Sequence, residues 1–204
     1  SGRSPDAEGP WRAPLLAALE EAGFVVGRNV AIEYRFSEGF DERLPMLASD
    51  LVRRSATLLL RDILAELGLA TWVKTSGSKG FHVVVPLDGK ADCGQVTRFA
   101  HAVARTFVER DPAHLTLEFY KADRGGRILV DTGRNEFGAT YAAAYAVRPK
   151  PNAPISAPCT WEEVESGEVG PQSITLRSMA GRLDTQGDIW AALFDKPHRL
   201  PEPV

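Results

Sequence analysis

Hydrophobic residues recur at helical spacing in three segments of the chain. Leucines over residues 15–19 predict a first amphipathic helix, which we expect to end at Gly23. A second pattern covers residues 41–67, and because such a helix would be long for a small domain, we expect a break near residues 53–55. A third apolar stripe predicts a helix within residues 91–110. Its members are Val96, Phe99, Val103 and Phe107.

Short apolar runs with β-branched residues predict strands between and after these helices. Residues 72–75 and 81–85 are two such runs, and the polar loop between them contains two glycines, so we expect a β-hairpin. Alternating residues predict an earlier strand over 29–35. The remaining expected elements are strands at 115–119, 128–131 and 139–147, an extended proline-bearing segment at 149–158, and short helices beginning at Trp161 and Asp188.

Composition is typical of a globular protein. Of the 204 residues, 44% are hydrophobic and 25% are charged. No apolar run has the length of a membrane span and no signal peptide opens the chain, so we expect a cytoplasmic protein without a membrane partner. Cys93 and Cys159 lack the spacing of metal ligands, which indicates reduced thiols and argues against a zinc site.

Charge is unevenly distributed along the chain. The net charge of −3 argues against a generally basic nucleic-acid-binding protein. Residues 74–150, however, carry twelve Lys and Arg against eight Asp and Glu, and acidic residues predominate on both sides. This segment can present a basic surface to a polyanion, although a chance asymmetry on a solvated face is an equally good explanation.

The loop of the predicted hairpin carries groups suited to phosphate. Glycine lets backbone N–H groups approach an anion closely, and hydroxyl and ammonium groups add further donors. The loop has no Walker A spacing, and an ordinary solvated hairpin tip is the alternative. The side chains concerned are Lys74, Thr75, Ser76, Ser78 and Lys79, with His82 just inside the second strand.

A second set of candidate residues follows the later strands. Asp131 ends one predicted strand, Arg134 follows it, and Arg148 ends the next, so we expect all three near Ser76 and His82. A carboxylate can hold a divalent metal, and guanidinium groups bind phosphate oxygens bidentately. Taken singly, Asp131 can instead be a turn cap and His82 a core histidine.

Several separated segments carry a resemblance to a known family. They are 74–87, 126–131, 134–135, 138–140, 144–148, 154–156 and Trp161. In this order they resemble the polymerase domain of bacterial ligase D, a member of the archaeo-eukaryotic primase superfamily that serves non-homologous end joining. The resemblance covers about residues 56–194. It implies an α+β fold with a primase-like mixed or antiparallel sheet flanked by helices.

The resemblance also implies an activity. It implies addition of ribo- or deoxyribonucleotides at broken DNA ends from nucleoside triphosphates, assisted by Mn²⁺ or Mg²⁺, with a DNA ligase and an end-binding protein as further partners. Asp131 matches a catalytic, metal-binding carboxylate of the family. The nucleotide-binding residues that we predict are Ser76, His82, Arg134 and Arg148 by resemblance, with Lys74 and Lys79 from the hairpin.

One position departs from the family pattern. The family carries an Asp-x-Asp pair upstream of the hairpin, whereas this chain has Asp41 followed by Arg43. An arginine at that place would repel the metal ions. We therefore expect impaired nucleotidyl transfer, with a catalytically dead nucleotide- or DNA-end-binding module as the alternative.

The segment before the hairpin resembles a different family. Residues 15–54 are similar to the opening helix, strand and helix of an ABC-transporter substrate-binding protein. We therefore predict a helix–strand–helix segment at 1–55 and a partial ligase D polymerase-like domain at 56–204. A small-molecule-binding protein of the transporter type is a third functional hypothesis.

Overall fold

The computed structural model describes residues 12–26, 28, 40, 42 and 44–201. The chain divides into two compact units, Ser1–Leu51 and Val52–Val204. In the first unit, helix α1 (Arg12–Glu21) ends before Gly23, whose φ of +83° is a conformation that glycine adopts readily. The predicted strand at 29–35 lies outside the described residues. The division at 55/56 and the transporter-like interpretation of residues 15–54 therefore stay predictions.

Helix α2 (Leu44–Glu66) is continuous, so the break that we expected near residues 53–55 is wrong. Residues 46–66 contain neither glycine nor proline, and they are rich in Leu, Ala and Arg, which favour a helix. The hydroxyl of Thr57 donates to the Arg53 carbonyl at 2.7 Å and is accommodated within the helix. Ala56, Ile63 and Leu64 of this helix are buried.

The second unit contains short strands and three further helices. The predicted hairpin forms, with Lys74 directly opposite His82. The helix expected within 91–110 also forms, and a capping box of Asp92 and Gln95 begins it. The strands are β1 (Trp72–Thr75), β2 (Phe81–Val84), β3 (Leu115–Thr116), β4 (Ile128–Leu129), β5 (Ala146–Val147), β6 (Ile155–Ser156) and β7 (Pro158–Cys159), and the helices are α3 (Cys93–Arg110), α4 (Trp161–Ser166) and α5 (Leu176–Gln186).

The strands form three small sheets. The antiparallel order β2-β1-β7 places β1 at the centre of the first sheet. Strands β3 and β4 pair in parallel, and β5 and β6 pair antiparallel. This mixed architecture of small sheets and helices is the α+β fold that the sequence predicted.

Three expectations for the C-terminal third are wrong. Of the strand predicted at 139–147, only β5 forms, because the chain turns just before β5 at Tyr145, whose φ is +65°. The extended segment at 149–158 is interrupted by a turn with positive φ at Asn152 and Ala153. Residues 189–194 form turns, where we expected a helix beginning at Asp188, and α5 was not expected.

Two hydrophobic cores hold the second unit together. The first joins β1, β6 and β7 to α4 and α5 through Val73, Ile155, Cys159, Val164 and Met179. The second joins α2, α3 and β3. Val83 of β2 packs against this second core, so both strands of the hairpin are supported by apolar contacts. Within the described part of the chain, no helix has the length and apolar character needed to cross a membrane.

A buried ion pair links α4 to α5. Both guanidinium Nη atoms of Arg182 donate to the Glu163 carboxylate at 2.6 Å, and these side chains are 13% and 8% exposed. Burial alone would raise the pKa of Glu163, but hydrogen bonds from Arg182 and the Thr160 backbone hold that pKa below its usual value. Glu163 also completes the capping box that begins α4.

We expect Arg182→Met to lower the free energy of unfolding by about 3–5 kcal/mol, because it leaves the Glu163 carboxylate buried without its cation. The matched control is Arg177→Met, on an exposed position of the same helix, with a change within about 0.5 kcal/mol. Urea unfolding followed by circular dichroism measures both. Equal losses in the two variants would contradict a stabilising role of the pair.

Candidate functional site

The hairpin loop is organised by Ser76. Its backbone N–H donates to the Gly80 carbonyl at 2.9 Å, and its Oγ accepts the N–H groups of Ser78 and Gly80, both at 3.1 Å. A hydroxyl has two acceptor lone pairs and one donor proton. Because both lone pairs are used inside the loop, an incoming ligand would meet Ser76 as a hydrogen-bond donor.

Side chains from later segments hold this loop from outside. The Gln172 amide donates to the Ser78 carbonyl at 2.6 Å. Gly77 has a φ of +61°, and a Cβ placed on it would lie 2.5 Å from Cγ of Arg148. The loop and the Arg148 side chain are therefore in direct contact. Lys79 is exposed at the tip of the loop.

Lys74 points into the protein and is fully buried. Its Nζ lies 2.6 Å from His82 Nδ1, 2.7 Å from the Ala142 carbonyl oxygen and 2.5 Å from Ser156 Oγ. Burial, followed by the positive charge of Arg148, lowers the pKa of Lys74 to about 8. Its ammonium group also lies 5.2 Å from the centre of the Tyr141 ring.

His82 is half-buried beside this ammonium group. Burial, followed by the positive charges of Lys74 and Arg148, lowers its pKa to about 4, while the negative charge of Asp131 opposes the shift. The imidazole is therefore neutral at pH 7. Tyr141 packs against it edge to face, with ring centres 5.8 Å apart.

Asp131 follows β4 on the exposed side of the site. Its Oδ1 accepts the Gly133 N–H at 3.1 Å, and its Oδ2 accepts a long hydrogen bond from Arg134 Nε at 3.4 Å. Asp131 therefore caps a turn. Its charge still acts on His82, as does that of Arg134. Among the described residues, none links Asp131 to Ser76 or His82 by a hydrogen bond.

Arg148 carries an unsatisfied donor. Its side chain lies against Gly77, and its Nε is buried without a hydrogen-bond partner among the residues that the structure describes. An unpaired buried N–H group is costly, and the cost is removed when an acceptor binds. Arg148 is thus placed to receive an anion next to the hairpin loop.

The structure groups most of the predicted residues around His82. Lys74 contacts His82 directly, and the charges of Arg134, Arg148 and Asp131 shift the pKa of His82. Sequence reasoning missed three residues that shape the same region. The missed residues are Tyr141, Ser156 and Gln172. Ser156 belongs to a segment that carried the resemblance, whereas no sequence signal marked Tyr141 or Gln172.

The carboxylates in the described part of the chain do not complete a site for two metal ions. No group of three or more His, Cys, Asp or Glu side chains among these residues could hold a metal ion. Asp131 is engaged by the Arg134 guanidinium. Asp41 and Arg43, which stand where the family pair is expected, lie outside the described residues.

We expect Arg148→Met to raise the pKa of His82 above its value of about 4, because a neighbouring positive charge that opposes protonation is removed. The imidazole Cε1–H signal in a pH titration by NMR measures this pKa. Since it lies below that of an unfolded histidine, the free energy of unfolding also falls as pH drops from 6.5 towards 4. An unchanged pKa in the variant would show that Arg148 does not act on His82.

Comparison with known proteins identifies the family. The family model of the LigD primase-polymerase domain matches residues 46–190 of this chain. The motifs indicated that the resemblance starts at about residue 56. The family match starts earlier, at residue 46, and includes most of α2.

Curated relatives and a solved structure agree with this match. The chain is 38% identical over 138 residues to the multifunctional non-homologous end joining protein LigD of Pseudomonas aeruginosa, covering 67% of this chain and 16% of that protein. It is 32% identical over 130 residues to LigD of Mycobacterium tuberculosis, covering 64% of this chain and 17% of the relative.

The polymerase domain of Mycobacterium tuberculosis ligase D, solved in complex with DNA, superposes with a TM-score of 0.66 at 29% identity. The superposition covers 72% of this chain and 51% of that domain, so the chain corresponds to about half of the solved domain. On the family match, the relatives and the fold together, the chain belongs to the LigD primase-polymerase domain family of non-homologous end joining proteins.

Proposed function

We propose that the site around His82 binds the triphosphate group of a nucleotide. The observation that supports this most directly is the buried Nε of Arg148, which lacks a hydrogen-bond partner in the described part of the chain and lies beside the hairpin loop. A phosphate oxygen is a strong acceptor for such a guanidinium donor. Binding would remove the cost of the unpaired group.

The electrostatic environment supports an anionic ligand. Lys74 and Arg148 are positive groups close enough to His82 to depress its pKa, and Arg134 adds a third. Asp131 is the negative charge acting on His82, and it is paired with Arg134. An excess of fixed positive charge in a partly buried site attracts a polyanion such as a triphosphate.

Each predicted nucleotide-binding side chain has a distinct place in this proposal. Ser76 offers its hydroxyl proton from the organised loop, and Arg148, whose side chain lies against Gly77, offers guanidinium N–H groups. Exposed Lys79 can reach the outer phosphate oxygens, and Arg134 can do so after it leaves Asp131. Lys74 is buried and would act through His82 rather than on the ligand.

We further propose that the bound nucleotide is used at DNA ends, as the family suggests. The relative from Mycobacterium tuberculosis was solved with DNA, and the curated relatives are end joining proteins. Mn²⁺ or Mg²⁺ would supply charge neutralisation at the reacting phosphate, with Asp131 as one ligand. We also propose a DNA ligase and an end-binding protein as partners. Because the described residues do not complete the metal site, nucleotide binding is the function that the geometry supports best.

We expect Arg148→Met to weaken binding of ATP by about tenfold to a hundredfold, since a charge-assisted hydrogen bond contributes roughly 1.5–3 kcal/mol. Isothermal titration calorimetry measures the dissociation constant. Lys90→Met, which removes an exposed lysine whose side chain is 78% accessible, is the control and should leave binding unchanged. Loss of affinity in both variants, or in neither, would contradict a specific phosphate contact at Arg148.

Nucleotidyl transfer is tested separately by extension of a DNA primer with labelled nucleotide in the presence of Mn²⁺. If Asp131 holds a metal ion, we expect the unmodified chain to extend the primer slowly. We expect Asp131→Ala to abolish this extension and to leave ATP binding intact. ATP binding without extension would instead identify a nucleotide-binding module. Extension that survives in Asp131→Ala would exclude Asp131 as the catalytic carboxylate.

A further inference from the structure

The central interaction of the site is a contact between two side chains of the hairpin. Lys74 on β1 and His82 on β2 are direct partners in the antiparallel register, so their side chains lie side by side on one face of the sheet. Lys74 Nζ and His82 Nδ1 are 2.6 Å apart. This separation is that of a hydrogen bond, which requires one of the two nitrogens to accept.

The other partners of Lys74 decide which nitrogen accepts. The Ala142 carbonyl oxygen can only accept. Ser156 Oγ donates its own proton to the Thr75 carbonyl at 2.9 Å, so towards Lys74 it is an acceptor as well. An ammonium group has three N–H donors and no lone pair. The third donor therefore points at His82, and Nδ1 of the ring must carry the lone pair.

We propose that Lys74 fixes His82 in the tautomer protonated at Nε2, so that the ring presents an N–H donor to the phosphate of a bound nucleotide. The inference rests on the proposed function only for the identity of the ligand. A neutral imidazole has one donor and one acceptor nitrogen, and Nδ1 is the acceptor here. None of the described residues forms a hydrogen bond with Nε2, which leaves this donor for a ligand. Lys74 is a positioning residue, because it is fully buried and reaches the ligand only through the ring.

Two further features support a single ring state. The pKa of Lys74, lowered to about 8, still leaves the ammonium form predominant at pH 7, and the pKa of His82, lowered to about 4, leaves the ring neutral. Tyr141 contacts both groups, with its ring 5.2 Å from Lys74 Nζ and edge to face with the imidazole. The imidazole is thus held by a hydrogen bond on one nitrogen and by an aromatic ring beside it.

Long-range ¹H–¹⁵N NMR on the ¹⁵N-labelled chain at pH 7 tests the tautomer directly. His82→Gln identifies the signals of His82 among the four histidines. The expected result is a protonated Nε2 and an unprotonated Nδ1. The opposite pattern in the unmodified chain would overturn the proposal, and this measurement needs no substitution at Lys74.

Lys74→Met tests the consequence, since methionine keeps an apolar stem of similar length and loses all three donors. We expect a population of the Nδ1-protonated tautomer to appear and ATP to bind about tenfold more weakly, with Lys90→Met as the unaffected control. An unchanged tautomer with unchanged ATP binding would refute the positioning role. If the unmodified chain has the Nε2 proton but binds no ATP, the proposed function fails and the tautomer assignment stands.

Discussion

The arrangement of the hairpin and the later strands depends on the burial of one ammonium group, that of Lys74. Taking a charged lysine out of water is expensive unless each of its donors finds an acceptor. Lys74 meets that condition with partners from three parts of the chain: a neighbouring strand, the segment before β5, and β6. The hairpin and the later strands must therefore come together for Lys74 to be tolerated, and the site forms where they meet.

The same interaction sets the electrostatics of the site. None of the hydrogen-bond partners of Lys74 is a carboxylate, so its charge is solvated by neutral dipoles and is not cancelled. Arg148 lies close enough to lower the pKa of both Lys74 and His82, and its own buried Nε has no acceptor among the described residues. Two uncancelled cations beside a neutral imidazole give this region the positive potential on which the proposed binding of an anion rests.

The sequence predicted the local features of the site because their signals are local. Two β-branched runs around a glycine-bearing loop specify a hairpin, and a helix with an apolar stripe needs only its own side chains to be recognised. The sequence could not predict that the Lys74 side chain points into the protein. Alternation of polar and apolar residues along a strand does not tell which face of the strand a distant segment will cover. Its partners Ala142 and Ser156 lie 68 and 82 residues away. Tertiary contacts of this kind also explain the turn at Tyr145 inside a predicted strand and the unexpected helix α5, whose interior contains Gly181 and whose buried residue is Met179.

The Asp131–Arg134 pair separates the two parts of the proposed function, nucleotide binding and metal binding. The two side chains are 43% and 57% exposed and 3.4 Å apart, and an exposed ion pair of this geometry contributes little free energy. Arg134 can therefore leave the carboxylate at small cost when a phosphate is present, which would free Asp131 for a cation. Arg148 needs no such exchange, because its donor is already without a partner among the described residues. In the proposed function, triphosphate binding would thus depend on groups held by the hairpin and next to β5, whereas metal binding would depend on an exposed carboxylate that must first release an arginine.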